Sequence, residues 1–456
     1  MQSIPHPVRF GVTALGAISV VLLGTQSASA ATPPSMFAGL NPVHVAVSPD
    51  GTKAYALNGT FPGTITVLDL ATNTAVSTVG VGDAPEGIAF SPTQPKAYVT
   101  SRADATISVV DTTTNTVAPS SVAVGGSPSD VAFSPDGSVA YVINNGFPGY
   151  LSVINTATDT VATTIPLTSF PGGLAFSPDS TKAYVVESNP EAVAVIDVAT
   201  NAVTTTIPLP LGSSPQRIAV TADGATLYVS EGNADAVGII DVASAAVTGA
   251  IALPAGSLAS SVVMVGSGDG EQVFVGNFGT NNVSVIDVPS NSITSTVTVP
   301  GPLGMSAAPD GLTVYVAGGG GGGEVYAIAR TVLAPANPTS GSPGSAYSFA
   351  LPANNASSFA VSAGSLPPGL TLDPATGVVA GTPQAAGTYS VQVAATGPFT
   401  VASRSYTFVV AATLAATGTN PTPIIVLSVA FLVIGGALTL ARRPSPRRRW
   451  TPGARG

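Results

Sequence analysis

At 456 residues the chain is long enough for more than one domain, each able to bury a core without crosslinks. Cysteine is absent, which excludes disulfides, thiol chemistry and Cys-ligated metal sites, while 50 Gly and 40 Pro against 8% charged residues are the composition of short strands joined by tight turns. All 23 acidic residues lie between Asp50 and Asp373, and between Ala31 and Thr417 only Lys53, Lys96, Arg102, Lys182, Arg217, Arg330 and Arg404 oppose them; a net charge near −16 there repels nucleic acid and anionic lipid, so no nucleic-acid partner is expected.

In chain order, Arg9 precedes an apolar run from Phe10 to Gly24, and Ala28-Ser29-Ala30 stands before Ala31. Basic, apolar and small-residue regions in that order predict a signal peptide over 1–30, cut after Ala30 by signal peptidase, with a retained membrane anchor as the alternative because the run nearly spans a bilayer.

From there a beat begins. Pro42, Pro85, Pro128, Pro171, Pro215 and Pro302 recur at steps of 43 or 44, with one double step centred near Leu258. Tyr55, Tyr98, Tyr141, Tyr184, Tyr228, Phe274 and Tyr315 keep it, as do Asp69, Asp111, Asn155, Asp197, Asp241 and Asp287. In the first unit, 43–48, 53–58, 64–70 and 74–81 alternate or run apolar over strand lengths. Ser48-Pro49-Asp50-Gly51, like Ser134-Pro135-Asp136-Gly137, suits a type I turn, and Asn73, Asn115 and Asn201 sit where a chain leaving a strand uses the left-handed conformation. Four short strands in each of seven units predict an all-β, seven-bladed β-propeller over 31–332, because one such sheet cannot cover its own faces while a closed circle of them can. The third-strand Asp reads as a turn or inter-blade hydrogen-bonding residue. Tyr98-Val99-Thr100 and Ile65-Thr66-Val67-Leu68-Asp69 resemble the YVTN/YncE family of propellers, a likeness specific for fold and weak for function. Thr331 to Ala334 is short for an outer strand, so Met36 to Leu40 is expected to complete blade seven.

After Arg330 the beat stops, and 333–346, rich in Pro, Ser and Gly, reads as a linker. Over 347–411, Gly364-Ser365-Leu366-Pro367-Pro368-Gly369-Leu370, Gly381-Thr382-Pro383 and Gly387-Thr388-Tyr389 resemble the Ig-like domains common in bacterial surface proteins, implying a small β-sandwich that acts as a spacer. The two domains are expected to fold independently.

The C-terminus carries Leu414-Ala415-Ala416-Thr417-Gly418, a polar spacer to 423, an apolar run over 424–441 and a tail at 442–456 with Arg442, Arg443, Arg447, Arg448 and Arg449. Eighteen residues at about 1.5 Å rise reach ~27 Å, enough to cross a hydrocarbon core, with the arginines held inside. This resembles the cell-wall sorting signals of Gram-positive bacteria, in the Leu-Ala-x-Thr-Gly form read by class E sortases of actinobacteria. The resemblance implies a sortase cutting between Thr417 and Gly418 and peptidoglycan as acceptor, on the outer face of the cell. The alternative is an ordinary membrane anchor.

Chemistry is sparse. The mature chain has one histidine, His44, which excludes Ser-His-Asp triads and multi-histidine metal sites. A carboxylate cation site at Asp269 with Glu271 is outweighed by a solvated hairpin, and the glycines from Gly318 to Gly323 lack the helix and Lys-Ser/Thr of a phosphate loop, so they read as a hairpin. No cofactor, metal or catalytic residue is expected. The residues behind each recurring proline vary in type, and His44, Glu86, Asp130, Gln216 and Arg217 there form the candidate rim of a ligand site at one mouth of the propeller channel. The leading expectation is a non-enzymatic surface protein that binds an extracellular glycan or protein. The alternatives are a lactonase-like or quinoprotein-like propeller enzyme and a purely structural envelope protein.

Overall fold

The computed structural model describes residues 32–167 and 170–412. Among them there are strands and one short 3-10 turn, Gly268–Gly270, and no helix long and apolar enough to cross a membrane. The cleavage site Ala30/Ala31, the motif Leu414 to Gly418, the run 424–441 and the tail lie outside the described residues.

Seven antiparallel sheets are laid down in sequence order from the inside out, except that blade seven takes its outer strand from the start of the chain. Their inner strands are Pro42–Val47, Pro85–Phe90, Pro128–Phe133, Pro171–Phe176, Pro215–Val220, Ala259–Val265 and Pro302–Ala307. Each inner strand touches the next, and that of blade seven returns to that of blade one. In blade one the others are Lys53–Asn58, Thr64–Asp69 and Thr74–Gly80, close to the lengths expected. Closure is as expected too: Ser35–Phe37 pairs with Glu324–Ala329, Met36 opposite Val325, and supplies the outer strand of blade seven. Gly323 makes this approach possible, because a Cβ there would stand 2.0 Å from the Gly39 carbonyl oxygen while its own carbonyl accepts from the Ala38 amide at 2.7 Å. Blade two departs from the pattern. Its outer strand is broken into Thr116–Val117 and Val122–Ala123, with Pro119, which has no amide to give, between them.

Apolar burial lies between the blades. Seven clusters each join neighbouring blades, and an eighth fills the sandwich. The recurring tyrosine explains the spacing of the beat: Tyr55, Tyr98 and Tyr141 each stack on the inner-strand phenylalanine of the next blade, with ring centroids 4.6–4.9 Å apart. Their hydroxyls reach on to the left-handed residue of the next blade's outer turn, Tyr55 to Asn115 at 2.5 Å and Tyr141 to Asn201 at 2.8 Å, with Tyr228 to Asn291 at 2.6 Å and Tyr98 to Asp159 alongside. The third-strand aspartate serves its own turn. Asp69 accepts from the Ala71 and Thr72 amides and the Thr72 hydroxyl.

The second domain has two three-stranded sheets: Tyr347–Ala350, Val378–Gly381 and Leu370–Leu372 in one, Ser358–Gly364, Gly387–Thr396 and Val401–Val410 in the other. The stretch expected as a linker is partly built into it. Val332–Leu333 pairs with Ala353–Asn354, and Leu333 is buried in the sandwich core because its apolar side chain has no place in blade seven. The two domains also make specific contacts with each other. Arg330, 4% exposed, donates from Nε to Gln272 Oε1 (2.8 Å), from one terminal nitrogen to Gly311 O (3.0 Å) and from the other to Gly270 O. Gln272 then donates to Val401 O of the sandwich at 2.8 Å, Asn355 donates to Arg330 O at 2.9 Å, and Phe399 packs on the core between blades six and seven.

Candidate functional site: the channel mouth

Every blade enters its inner strand the same way. The residue before the recurring position has a positive φ, at Asn41, Ala84, Ser127, Phe170, Ser214, Leu258 and Gly301, an unfavourable conformation for the six non-glycines that the surrounding turn enforces. The register then slips by one or two residues just after that position, as between Pro42 and His44, Pro128 and Asp130, and Pro215 and Arg217. Such a bulge re-aims a side chain, here into the mouth.

The third residue of each inner strand, two beyond the recurring position, forms a ring: His44, Gly87, Asp130, Gly173, Arg217, then Ser261 after the bulge of blade six, then Gly304. Each glycine is forced by its neighbour. A Cβ on Gly87 would lie 2.9 Å from Asp130 Cα, on Gly173 2.6 Å from Arg217 Cα, and on Gly304 2.4 Å from His44 Cδ2. The glycines therefore let neighbouring inner strands approach closely at this level.

Of the five rim residues, three interact electrostatically. Burial holds the His44 imidazole below its usual value; Asp130 opposes that shift and Arg217 adds to it, so both charges act on one neutral ring. His44 Nδ1 is inaccessible and has no hydrogen-bond partner, as is true of Ser261 Oγ. Asp130 accepts from the Val131 amide at 2.9 Å, and Arg217 donates to Gln216 O at 3.3 Å. Among the described residues neither takes part in an ion pair, the three pairs being Lys96–Asp159, Arg102–Glu86 and Arg404–Asp269. The other two rim residues are engaged elsewhere. Glu86 accepts from Arg102 at 2.9 Å, and Gln216 turns back to donate to Ser214 O and Oγ, both at 3.2 Å. Ser261 escaped the sequence reading because Ala259 replaces the marker proline of blade six; counting 44 residues on from Arg217 would have found it.

The hairpin considered for a cation uses its carboxylates internally. Glu271 accepts from the Ala222 amide at 2.6 Å, and Asp269 lies 3.8 Å from Arg404. Among the described residues no cluster of three His, Asp or Glu suits a metal. The open crevices, such as one of about 470 Å³ between blades one and two lined by Asp50, Lys53, Tyr55 and Thr112, lie at the opposite end from the mouth.

Residues 88–299 match the family model described as a YNCE-like beta-propeller. The head is a β-propeller similar to that family over those residues. Residues 330–429 match the model described as "Putative Ig domain", which begins at Arg330, where the structure also places the junction. Among solved structures, the chain is similar to one titled Kuenenia stuttgartiensis hydrazine synthase, at 22% identity with a TM-score of 0.57, covering 69% of this chain and 99% of that one. At that identity the likeness concerns fold alone. No curated protein matches the chain.

Proposed function

We propose that the chain is a non-enzymatic surface protein whose propeller head binds an extracellular ligand at the channel mouth, with the Ig-like domain as stalk and Leu414 to Gly418 as the signal for attachment to the cell wall by a sortase. The observation that carries the binding reading is the pair of opposite charges, Asp130 and Arg217, facing one half-buried neutral imidazole without an ion-pair partner. Two such groups that do not satisfy each other suit a small polar ligand with a cationic and an anionic group, each held by charge-assisted hydrogen bonds of roughly 1.5–3 kcal/mol. The scarcity of histidine and the absence of cysteine support binding over catalysis.

The test is a thermal-shift screen of the purified full chain against free amino acids, amino sugars and their N-acetylated and amidated forms. A ligand bearing both charges should raise the melting temperature, its singly charged analogues should not, and Asp130→Ala with Arg217→Ala should abolish the shift while leaving the unliganded melting temperature unchanged. A shift that survives both substitutions, or a screen in which only singly charged compounds bind, removes the mouth pair as the site.

A further inference from the structure

The exposed leucine and phenylalanine side chains of the propeller gather at one end. Leu40, Phe61, Phe147, Phe170, Leu211 and Phe278 are all exposed, Phe147 at 83% and Leu211 at 94%. Each lies just before an inner strand or in the hairpin between second and third strands, which is the end at which the mouth opens. At the other end, where the Pro-Asp-Gly turns lie, no leucine or phenylalanine is exposed among the described residues; of the remaining exposed apolar side chains Phe37 and Leu258 also stand at the mouth end, Val76, Val161 and Val203 lie on outer strands and Val409 is in the sandwich. Solitary exposed apolar residues are ordinary, but a crown of them around one opening marks an interaction surface.

These side chains are also held in place. Glu191 accepts from the amides of Gly212 and Ser214, fixing the loop that carries Leu211, and Asp235 does the same with Gly256 and Leu258 in the following blade. Phe147 and Phe170 stack across two blades with centroids 6.2 Å apart. A crown fixed before binding loses little freedom on association.

Charge decides among occupants. By position in the strands, nine of the carboxyl residues stand at the mouth end, among them Asp83, Asp104, Glu191 and Asp235, against the guanidinium groups of Arg102 and Arg217; Lys53, Lys96 and Lys182 all begin second strands at the far end. A second copy would bring two negative faces together, and an anionic membrane would likewise be repelled. The crown's side chains carry no donor or acceptor, which a glycan would need. We propose that the mouth face docks a protein segment in which basic residues alternate with large apolar ones. This proposal is independent of the Asp130–Arg217 pair, which it does not use.

The test measures fluorescence anisotropy of a labelled fourteen-residue peptide of alternating Lys and Leu with the purified full chain. Companion peptides replace Lys by Glu or Leu by Ser, and neutral phosphatidylcholine vesicles are tested beside them. The Lys–Leu peptide should bind at least tenfold more tightly than either companion and weaken with salt. Phe147→Ser with Leu211→Ser should weaken it about tenfold, whereas Val161→Ser with Val203→Ser on the outer strands should change it less than about twofold. Leu211→Ser alone, at the most exposed position, serves if the double variant fails to fold. Equal binding by the Lys–Ser peptide, an unchanged affinity in the mouth variants, or capture of vesicles through the same residues would overturn the assignment.

Discussion

Replacing Arg330 by Met tests how head and stalk are joined. The substitution keeps most of the buried volume but removes all three donated bonds, to Gln272 Oε1, Gly311 O and Gly270 O. It also removes the charge that opposes the burial-raised pKa of Glu271, a side chain only 4% exposed. Burial lowers the guanidinium itself to about 10, so it is charged at neutral pH. Removing one partner from such a buried charged group costs about 3–5 kcal/mol. With a melting entropy near 2.1 cal/mol/K per residue over roughly 380 residues, that loss lowers the melting temperature by about 4–6 °C. Calorimetry should also resolve the sandwich as a separate transition, because Gln272 then loses the partner that orients it toward Val401 O. Arg330→Lys, which keeps the charge but not the fork, should fall between. An Arg330→Met protein that melts within about 1 °C of the parent in a single transition would refute the idea that this residue couples the domains.

Three further outcomes can be checked. Burial raises the Glu231 carboxyl above the usual carboxylate range, with Glu191 adding to it, and leaves Oε1 unpartnered; the folded state thus binds the proton more tightly, its contribution to stability is lost as pH rises through the folded value, and Glu231→Gln should raise the melting temperature at pH 7 with the gain vanishing toward pH 4. The fragment 31–332 should retain its β-sheet circular dichroism, since every blade is complete without the sandwich, but should melt below the longer chain; an unfolded fragment would show that the sandwich is needed for closure. Thr417→Ala should move the protein from the covalently wall-linked fraction to the membrane fraction, and unchanged recovery from the wall would remove the sortase reading.

The beat of prolines and tyrosines made blade number and strand positions legible, because a repeated environment imposes a repeated residue. Closure by the N-terminal strand was legible for the same reason: blade seven ran short of residues. What the repeat could not show were contacts made once. Arg330 looked like the last residue before a linker, yet it spans 58 residues to Gln272, and Leu333 belongs to a core whose other members follow it in the chain. The tyrosine hydroxyls show an intermediate case. Tyr55 and Asn115 both recur visibly, but their bond crosses a blade boundary 60 residues away, so neither position announced the other. At the mouth, variation marked a set of positions behind the recurring proline, while the sequence could not show that Glu86 among them is engaged by Arg102 and Gln216 by Ser214.

The closing strand also bears on mechanical load. A pull arriving through the sandwich enters the head at Arg330, directly after Glu324–Ala329, which is flanked on one side by Thr313–Gly318 and on the other by Ser35–Phe37. Tension along a strand held by two ladders shears many hydrogen bonds at once, whereas an outer strand pulled from its edge would unzip them one by one. By letting its first residues, not its last, form the edge of blade seven, the propeller places its point of attachment where it resists being torn open.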